Sequence, residues 1–327
     1  MYARRSIKSS ASVPLIQVQC KGPNGSGPEW LPLKQDWSSR WCTLPDRFTE
    51  EFSQRIYDFN TRDSDVFLVT FMKSGTTWMQ ELAWLLLNNM NFEAAQSSYT
   101  MIRSPYLEKS AIYSDGVDYI SLCNDIQTNP RFIKSHLPAQ LLPPQFWKKG
   151  CKIIYLARNP KDVVVSSFHF LTGLDFWRGS LDEFVDDFVA DKMAFTSYWA
   201  HVIDFYRMRN EENVFFVTYE EMSRNLKDVV QRLSRFLDCK ELSESEMDKL
   251  LTHLNFKNMK GRKFGNSTGL LSTLRKTKDD FNFMRRGIVG SYKDELSPEN
   301  RNKIDKLTER FLEEYGVTES EIFGSME

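Results

Sequence analysis

The sequence predicts a single α/β domain whose central, mainly parallel sheet is flanked by helices. Three observations carry this. Four short apolar runs, Val66 to Phe71, Arg131 to Lys134, Lys152 to Ala157 and Val214 to Thr218, lack the alternation of a half-exposed strand and read as buried strands. Helical patterns separate or follow them. The first run leads through a glycine-containing turn directly into a helix, an arrangement suited to binding an anion.

The elements follow in order. The first 28 residues contain no acid, while Arg4, Arg5, Lys8 and Lys21 are basic. They read as a mobile tail, with a mitochondrial targeting segment as the alternative. Residues 21–27, Lys-Gly-Pro-Asn-Gly-Ser-Gly, read as a linker, and the folded part is expected to begin between Trp30 and Phe48. The expected organisation is a partly disordered extension over residues 1–44 and one domain over residues 45–327. After the first strand, Trp78, Leu82, Leu85 and Leu86 fall on one helical face. Asn159-Pro160 opens a second helix, with Asn as N-cap, Pro in the first turn and Asp162 shortly after. Residues 181–208 are expected as one long helix with Phe184, Phe188, Phe195, Trp199 and Phe205 among its apolar positions. Another is expected from Glu221 to Leu237. The last begins at Ser297-Pro298 and stops at Gly316.

Composition narrows the function. The chain has 327 residues, 41% hydrophobic and 27% charged, with a net charge of −1. That balance gives no bulk electrostatic drive toward nucleic acid or an anionic membrane. No apolar run reaches the roughly 18 to 20 residues that span a bilayer. Five cysteines, Cys20, Cys42, Cys123, Cys151 and Cys239, are widely spaced and form no CxxC. This argues against a disulfide framework or a zinc site, and for a reducing, cytoplasmic setting. Positive charge is bunched at Lys257, Lys260, Arg262 and Lys263, at Arg275, Lys276 and Lys278, and at Arg285-Arg286. Such runs can be solvated faces or anion sites.

The turn after the first strand is Lys73-Ser74-Gly75-Thr76-Thr77-Trp78. A turn feeding a helix N-terminus presents free N–H groups and the positive end of the dipole. Gly75 permits close approach of an anion, Ser74, Thr76 and Thr77 offer hydroxyls, and Lys73 adds a full charge. The lysine precedes the glycine, unlike GxxxxGK[ST], and no glycine stands in Val66 to Met72. That spacing argues against a kinase or triphosphatase. No Asp/Glu pair stands beside the turn to hold Mg²⁺, so no metal is expected.

Phe71-Met72-Lys73-Ser74-Gly75-Thr76-Thr77-Trp78 resembles the 5′-phosphosulfate loop of the cytosolic sulfotransferases, with Phe71-Met72 where Tyr-Pro is usual. Three further segments match in the family's order. Lys134-Ser135-His136-Leu137-Pro138 looks like its catalytic segment. Arg158-Asn159-Pro160-Lys161-Asp162, continuing to Ser166, looks like its 3′-phosphate motif. Phe283-Met284-Arg285-Arg286-Gly287-Ile288-Val289-Gly290 looks like its C-terminal phosphate loop. The resemblance spans about residues 45 to 315. Its flanking text, such as Arg103-Ser104-Pro105-Tyr106-Leu107-Glu108, is most similar to the insect branch that includes retinol dehydratase.

The resemblance implies an α/β domain with a P-loop-like phosphosulfate-binding loop. It implies a donor, 3′-phosphoadenosine 5′-phosphosulfate (PAPS), with the 3′,5′-diphosphate PAP as product, and a small hydroxyl acceptor. His136 becomes the general base. Lys134 donates to the sulfuryl oxygens, Lys73 stabilises the leaving phosphate, and Ser166 bonds both Lys73 and the 3′-phosphate. Arg158, Arg285, Arg286 and the Gly287 amide hold that phosphate, beside Met284. Trp78 and Phe256 wall the adenine, with Tyr219 at its polar edge. Leu254 stands where relatives often carry a hydroxyl, which removes one hydrogen-bond donor to the base. Tyr106, Phe168 and Phe170 are candidates for the acceptor wall. The family's usual C-terminal dimer contact is altered, because Lys293 is followed by Ser297-Pro298 and Asn302. A monomer or a different interface is expected. Sulfation followed by elimination, as in a retinol dehydratase, and a catalytically weak binder of apolar ligands stay open as alternatives.

Overall fold

The computed structural model describes residues 1–113, 115–274 and 277–324. The basic residues Arg275 and Lys276 lie outside the described residues. Strands β1 (Tyr2–Ser6), β2 (Leu15–Cys20) and β3 (Cys42–Pro45) form an antiparallel sheet in the order β1-β2-β3. Strands β4 (Val66–Thr70), β5 (Phe132–Ser135), β6 (Lys152–Ala157) and β7 (Val214–Thr218) form a parallel sheet in the order β5-β4-β6-β7.

The continuous apolar character of the parallel strands has a direct reason. Successive side chains point to opposite faces, and both faces are covered. Phe67, Val69, Ile133, Ile153 and Tyr155 enter one core. Val66, Leu68, Phe132, Ile154 and Leu156 enter the other, against Leu82, Leu85 and Leu86 of the helix Thr76–Leu87. A strand buried on both sides cannot alternate.

Three expectations differ from the structure. The N-terminal tail is a pair of strands, β1 and β2, running back along β3 with Tyr2 opposite Cys20 and Leu15 opposite Pro45. Val18, Cys20, Leu31, Leu33 and Trp37 are buried. The segment finds its partners far along the chain, at residues 42–45 and at Gln140, so its own composition does not reveal it.

The long helix expected over residues 181–208 is two helices, Leu181–Val189 and Tyr198–Arg207. Between them Asp191 and Phe195 take left-handed φ values of 56° and 70°. Phe195 N–H donates to Thr43 O at 2.6 Å, and Thr43 N–H donates to Thr196 O at 2.7 Å. Backbone pairing with β3 thus replaces the helical bonds.

The helix expected over residues 221–237 breaks at Asn225. The helix Tyr219–Arg224 ends there, and the Asn225 side chain caps Leu226–Phe236 by accepting Asp228 N–H at 3.2 Å. The helix Pro298–Glu313 has Ser297 as its cap, Gly316 follows in the left-handed region, and a short further helix, Glu319–Phe323, comes after it. The five cysteines form no disulfide. Among the described residues, no helix is long and apolar enough to cross a membrane.

Candidate active site

All four parallel strands end on one cavity of about 560 Å³. β4 delivers the turn at Lys73, β5 leads to His136, β6 to Arg158 and β7 to Tyr219. This is the edge at which open α/β sheets bind ligands.

Gly75 precedes the helix Thr76–Leu87 with φ 101° and no side-chain cap, so the first helical N–H groups stay available. A Cβ at Gly75 would lie 2.5 Å from the Tyr219 ring. Thr76, Thr77 and Trp78 line the cavity. Ser74 does not: it is fully buried away from the cavity wall, with its hydroxyl unpartnered among the described residues. Lys73 and Gly75, on either side of it, take left-handed φ.

Lys73 places its ammonium 4.2 Å and 4.4 Å from the ring centres of Phe170 and Phe283. Burial, then the charges of Arg158, Lys134 and Arg285, push it from the ordinary lysine value down to about 7. Lys134 lies over the Tyr106 ring at 4.4 Å, and burial brings it to about 8. An anionic ligand reverses both shifts, so the site is charged most readily when filled.

His136 follows the end of β5. Its Nδ1 lies 2.8 Å from Thr70 O and 3.0 Å from Thr70 Oγ1. A carbonyl only accepts, so Nδ1 carries the proton and Nε2 carries the lone pair. His201 Nε2 donates to His136 O at 3.0 Å. Burial, then Lys134, push His136 well below the usual histidine value, so the ring is neutral at neutral pH. His201 is held in the core by the Tyr155 hydroxyl at 2.8 Å, and the Nε2 of His253 by Glu81 at 2.6 Å.

Arg158 closes β6. Its guanidinium donates to Lys73 O and Ile288 O, each at 3.3 Å, and lies 4.4 Å from the Tyr219 ring centre. Its Nε is buried without a partner among the described residues, as is Trp78 Nε1. Such orphan donors fit a ligand rich in oxygen and ring nitrogen. Ser166, on the helix Pro160–Gly173, lines the same cavity. Arg285, Arg286, Met284 and Gly287 come from the C-terminal loop. Arg285 pairs with Glu295, and Arg286 with Asp294 at 2.5 Å. Gly287 has φ 68°, and a Cβ there would lie 2.2 Å from the Phe256 ring. Phe256 lines the cavity with Tyr219 and Trp78, whose rings meet edge-on at 5.4 Å.

Of the residues expected at an acceptor wall, Tyr106 and Phe170 line the cavity. Phe168 does not, and that expectation is corrected: it packs into the core, 5.7 Å from Phe184. Two residues along a helix turn about 200°, so Phe168 and Phe170 cannot share a face, whereas Ser166 and Phe170, four apart, do.

Several wall residues escaped sequence reading. Val13 and Leu15 come from the N-terminal segment, and Met193 and Phe195 from the interrupted helix. No local pattern marks them, because both segments were misread. Asp162 was read as a helix-start residue within the 3′-phosphate motif, with no partner assigned. It accepts Gly290 N–H at 2.7 Å, Tyr292 N–H at 3.0 Å and the Ser291 hydroxyl at 3.1 Å, which fastens the C-terminal loop to the start of the helix after β6.

Known proteins share this arrangement. A family model described as the sulfotransferase domain matches residues 63–316. Dog sulfotransferase 1B1 is 34% identical over 258 residues, covering 78% of this chain and 85% of its own. The luciferin sulfotransferase of the firefly Photinus pyralis is 36% identical over 281 residues, covering 80% and 75%. Among solved structures, retinol dehydratase in complex with androsterone and inactive cofactor PAP superposes with a TM-score of 0.83 at 26% identity, over 97% of both chains. A mouse sulfotransferase complexed with PAP gives 0.65 at 25% identity, over 88% of this chain and 99% of its own. With these likenesses added to the phosphate turn, the histidine and the arginines at the ends of one parallel sheet, the chain belongs to the sulfotransferase family.

Proposed function

We propose that this sulfotransferase moves the sulfuryl group of PAPS to the hydroxyl of a small, largely apolar acceptor, with His136 as general base. One observation carries the reading: the bond from Nδ1 to Thr70 leaves Nε2 of His136 unprotonated in a cavity that also holds Lys73, Lys134 and Arg158. The acceptor oxygen attacks sulfur in line, and its proton passes to Nε2. The bond from sulfur to the bridging oxygen breaks, and its electron pair stays with the 5′-phosphate of PAP. Lys134 donates to the sulfuryl oxygens, and Lys73 balances the leaving phosphate. Ser166 bonds Lys73 and the 3′-phosphate. Arg158, Arg285, Arg286 and the Gly287 amide hold that phosphate, and Trp78, Phe256, Met284 and Tyr219 hold the adenine end.

The acceptor half is walled by Tyr106, Phe170, Met193 and Phe195, which favours an apolar alcohol or phenol. The structural relatives carry androsterone and retinol, ligands of that character. The unpaired cysteines support a cytosolic setting, and the altered C-terminal segment supports a monomer or a different interface. Incubating the protein with labelled PAPS and a panel of phenols, steroids, retinoids and catecholamines, with products read by mass spectrometry, tests the reading. Transfer to none of them while PAP binds would leave a nucleotide-binding protein without this activity.

A second reading, sulfation followed by elimination, is favoured by the TM-score of 0.83 to retinol dehydratase over 97% of both chains. The same experiment separates the two: an alcohol that loses the mass of water rather than gaining sulfate supports elimination.

A further inference from the structure

Behind the catalytic strand lies a carboxyl group that this reaction scheme does not use. Glu108 follows Tyr106-Leu107 in a segment running beside β5. There Leu107 N–H donates to Lys134 O and Lys134 N–H donates to Pro105 O, each at 2.9 Å. The Glu108 side chain is wholly buried. Its Oε1 accepts the main-chain N–H of His136 at 2.5 Å, and its Oε2 accepts the Ser135 hydroxyl at 2.9 Å. Ser135 Oγ in turn accepts Leu137 N–H at 3.1 Å. The N–H groups of His136 and Leu137 lie past the end of β5, and side chains satisfy them instead of a neighbouring strand. One carboxyl therefore fastens the turn at which His136 leaves the sheet.

Burying a carboxyl group is costly unless its oxygens are bonded, and here both are. Glu108 is faced by Lys134 and His136 from the catalytic segment, by Tyr106 from its own segment, by Cys42 of β3, and by Cys123 of the helix Tyr119–Asn124. Lys134 is faced by Glu108, Lys109, His136 and Lys73. Burial lowers the lysine to about 8, Lys109 lowers it as well, and Glu108 raises it. Glu108 itself is pushed up by burial to about 7, and the bonds from His136 and Ser135, with Lys134, oppose that rise.

We propose that Glu108 is a positioning residue for sulfuryl transfer, fixing the main chain that presents His136. The proposal rests on the role given to His136 above.

Ser135→Ala removes two bonds, the one that the Ser135 hydroxyl donates to Glu108 and the one that Leu137 N–H donates to Ser135. Glu108→Gln keeps the size of the side chain and an oxygen for His136 N–H, and Glu108→Ala removes both. For Glu108→Ala, kcat is expected to fall about tenfold to a hundredfold, with KM for PAPS changed less than about threefold, and Glu108→Gln is expected to recover most of the loss. A KM that rises in step with the fall in kcat, or a glutamine variant no better than the alanine one, overturns the positioning. An unchanged kcat in Ser135→Ala overturns it too, and decides the question even if the Glu108 variants do not fold. ¹⁵N NMR of the His136 ring in the PAP-free protein needs no turnover. A shift of the ring signals in Ser135→Ala upholds the positioning even if the wild type transfers no sulfuryl group, in which case only the reading of the reaction fails. Unchanged ring signals overturn the positioning.

Discussion

The Thr70 carbonyl accepts the Nδ1–H of His136 at 2.8 Å, across the gap between the ends of β4 and β5. The contact selects the tautomer as well as the orientation, since Nε2 is left as the basic nitrogen. His136→Ala is expected to lower kcat by about 10²- to 10⁴-fold, because no other neutral imidazole lines this cavity among the described residues. PAP affinity should change little. Steady-state kinetics and calorimetry on one preparation separate the effects, and a collapse of PAP binding with normal turnover of the residual complex would make His136 a structural residue.

PAP binding should take up protons at about pH 8. Free Lys73 titrates near 7 because burial and three neighbouring cations penalise its ammonium. A bound 5′-phosphate favours the ammonium and raises the pKa. Above 7, binding therefore draws in a proton, and affinity falls as pH rises through that window. The folding of the free protein has the matching sign. The unfolded chain, at the ordinary value of 10.5, binds a proton that the folded chain lacks, so this group's contribution to stability grows as pH rises from about 7. Calorimetry in two buffers of different ionisation heat measures the uptake, and Lys73→Met should reduce it. Equal heats in both buffers would count against it.

Arg158→Ala and Ser166→Ala should weaken PAP more than adenosine 5′-phosphosulfate, which lacks the 3′-phosphate. A charge-assisted bond to a phosphate contributes about 1.5 to 3 kcal/mol, so the arginine change should cost PAP about tenfold to a hundredfold in affinity. Competition binding with the two nucleotides reads the difference. Equal losses would place the motif at another phosphate.

Asp162→Ala should loosen the C-terminal loop. It strips the partner from the N–H groups of Gly290 and Tyr292 and from the Ser291 hydroxyl. The expected loss is about 2 to 4 kcal/mol of stability, with weaker PAP binding because Arg285 to Gly287 sit on the same loop. Urea denaturation with and without PAP measures both. Unchanged stability would show that the three bonds are replaced by water.

Much of the site was legible because its signals are local. Gly75 must take a left-handed φ directly after a buried strand, Asn159-Pro160 starts a helix at a strand end, and Ser166 and Phe170 stand one helical turn apart. Phe168 was misplaced for a related reason. Residue type suggested a role, but the direction of the side chain is set by helical phase.

The sequence by itself determined the parallel sheet, because strands buried on both faces need unbroken apolar runs wherever they finally pack. It also determined the phosphate turn, whose glycine, hydroxyls and lysine act over a few residues. Only the tertiary structure decided how Val13, Leu15, Met193 and Phe195 reach the cavity. β1 and β2 acquire a core only against β3, and the helix expected over residues 181–208 breaks because Phe195 and Thr196 bond to Thr43, about 150 residues away in the chain. The bond from Thr70 to His136 and the carboxyl of Glu108 behind it belong to the same class. Each joins groups far apart or on different strands, and no spacing in the sequence records how those groups meet.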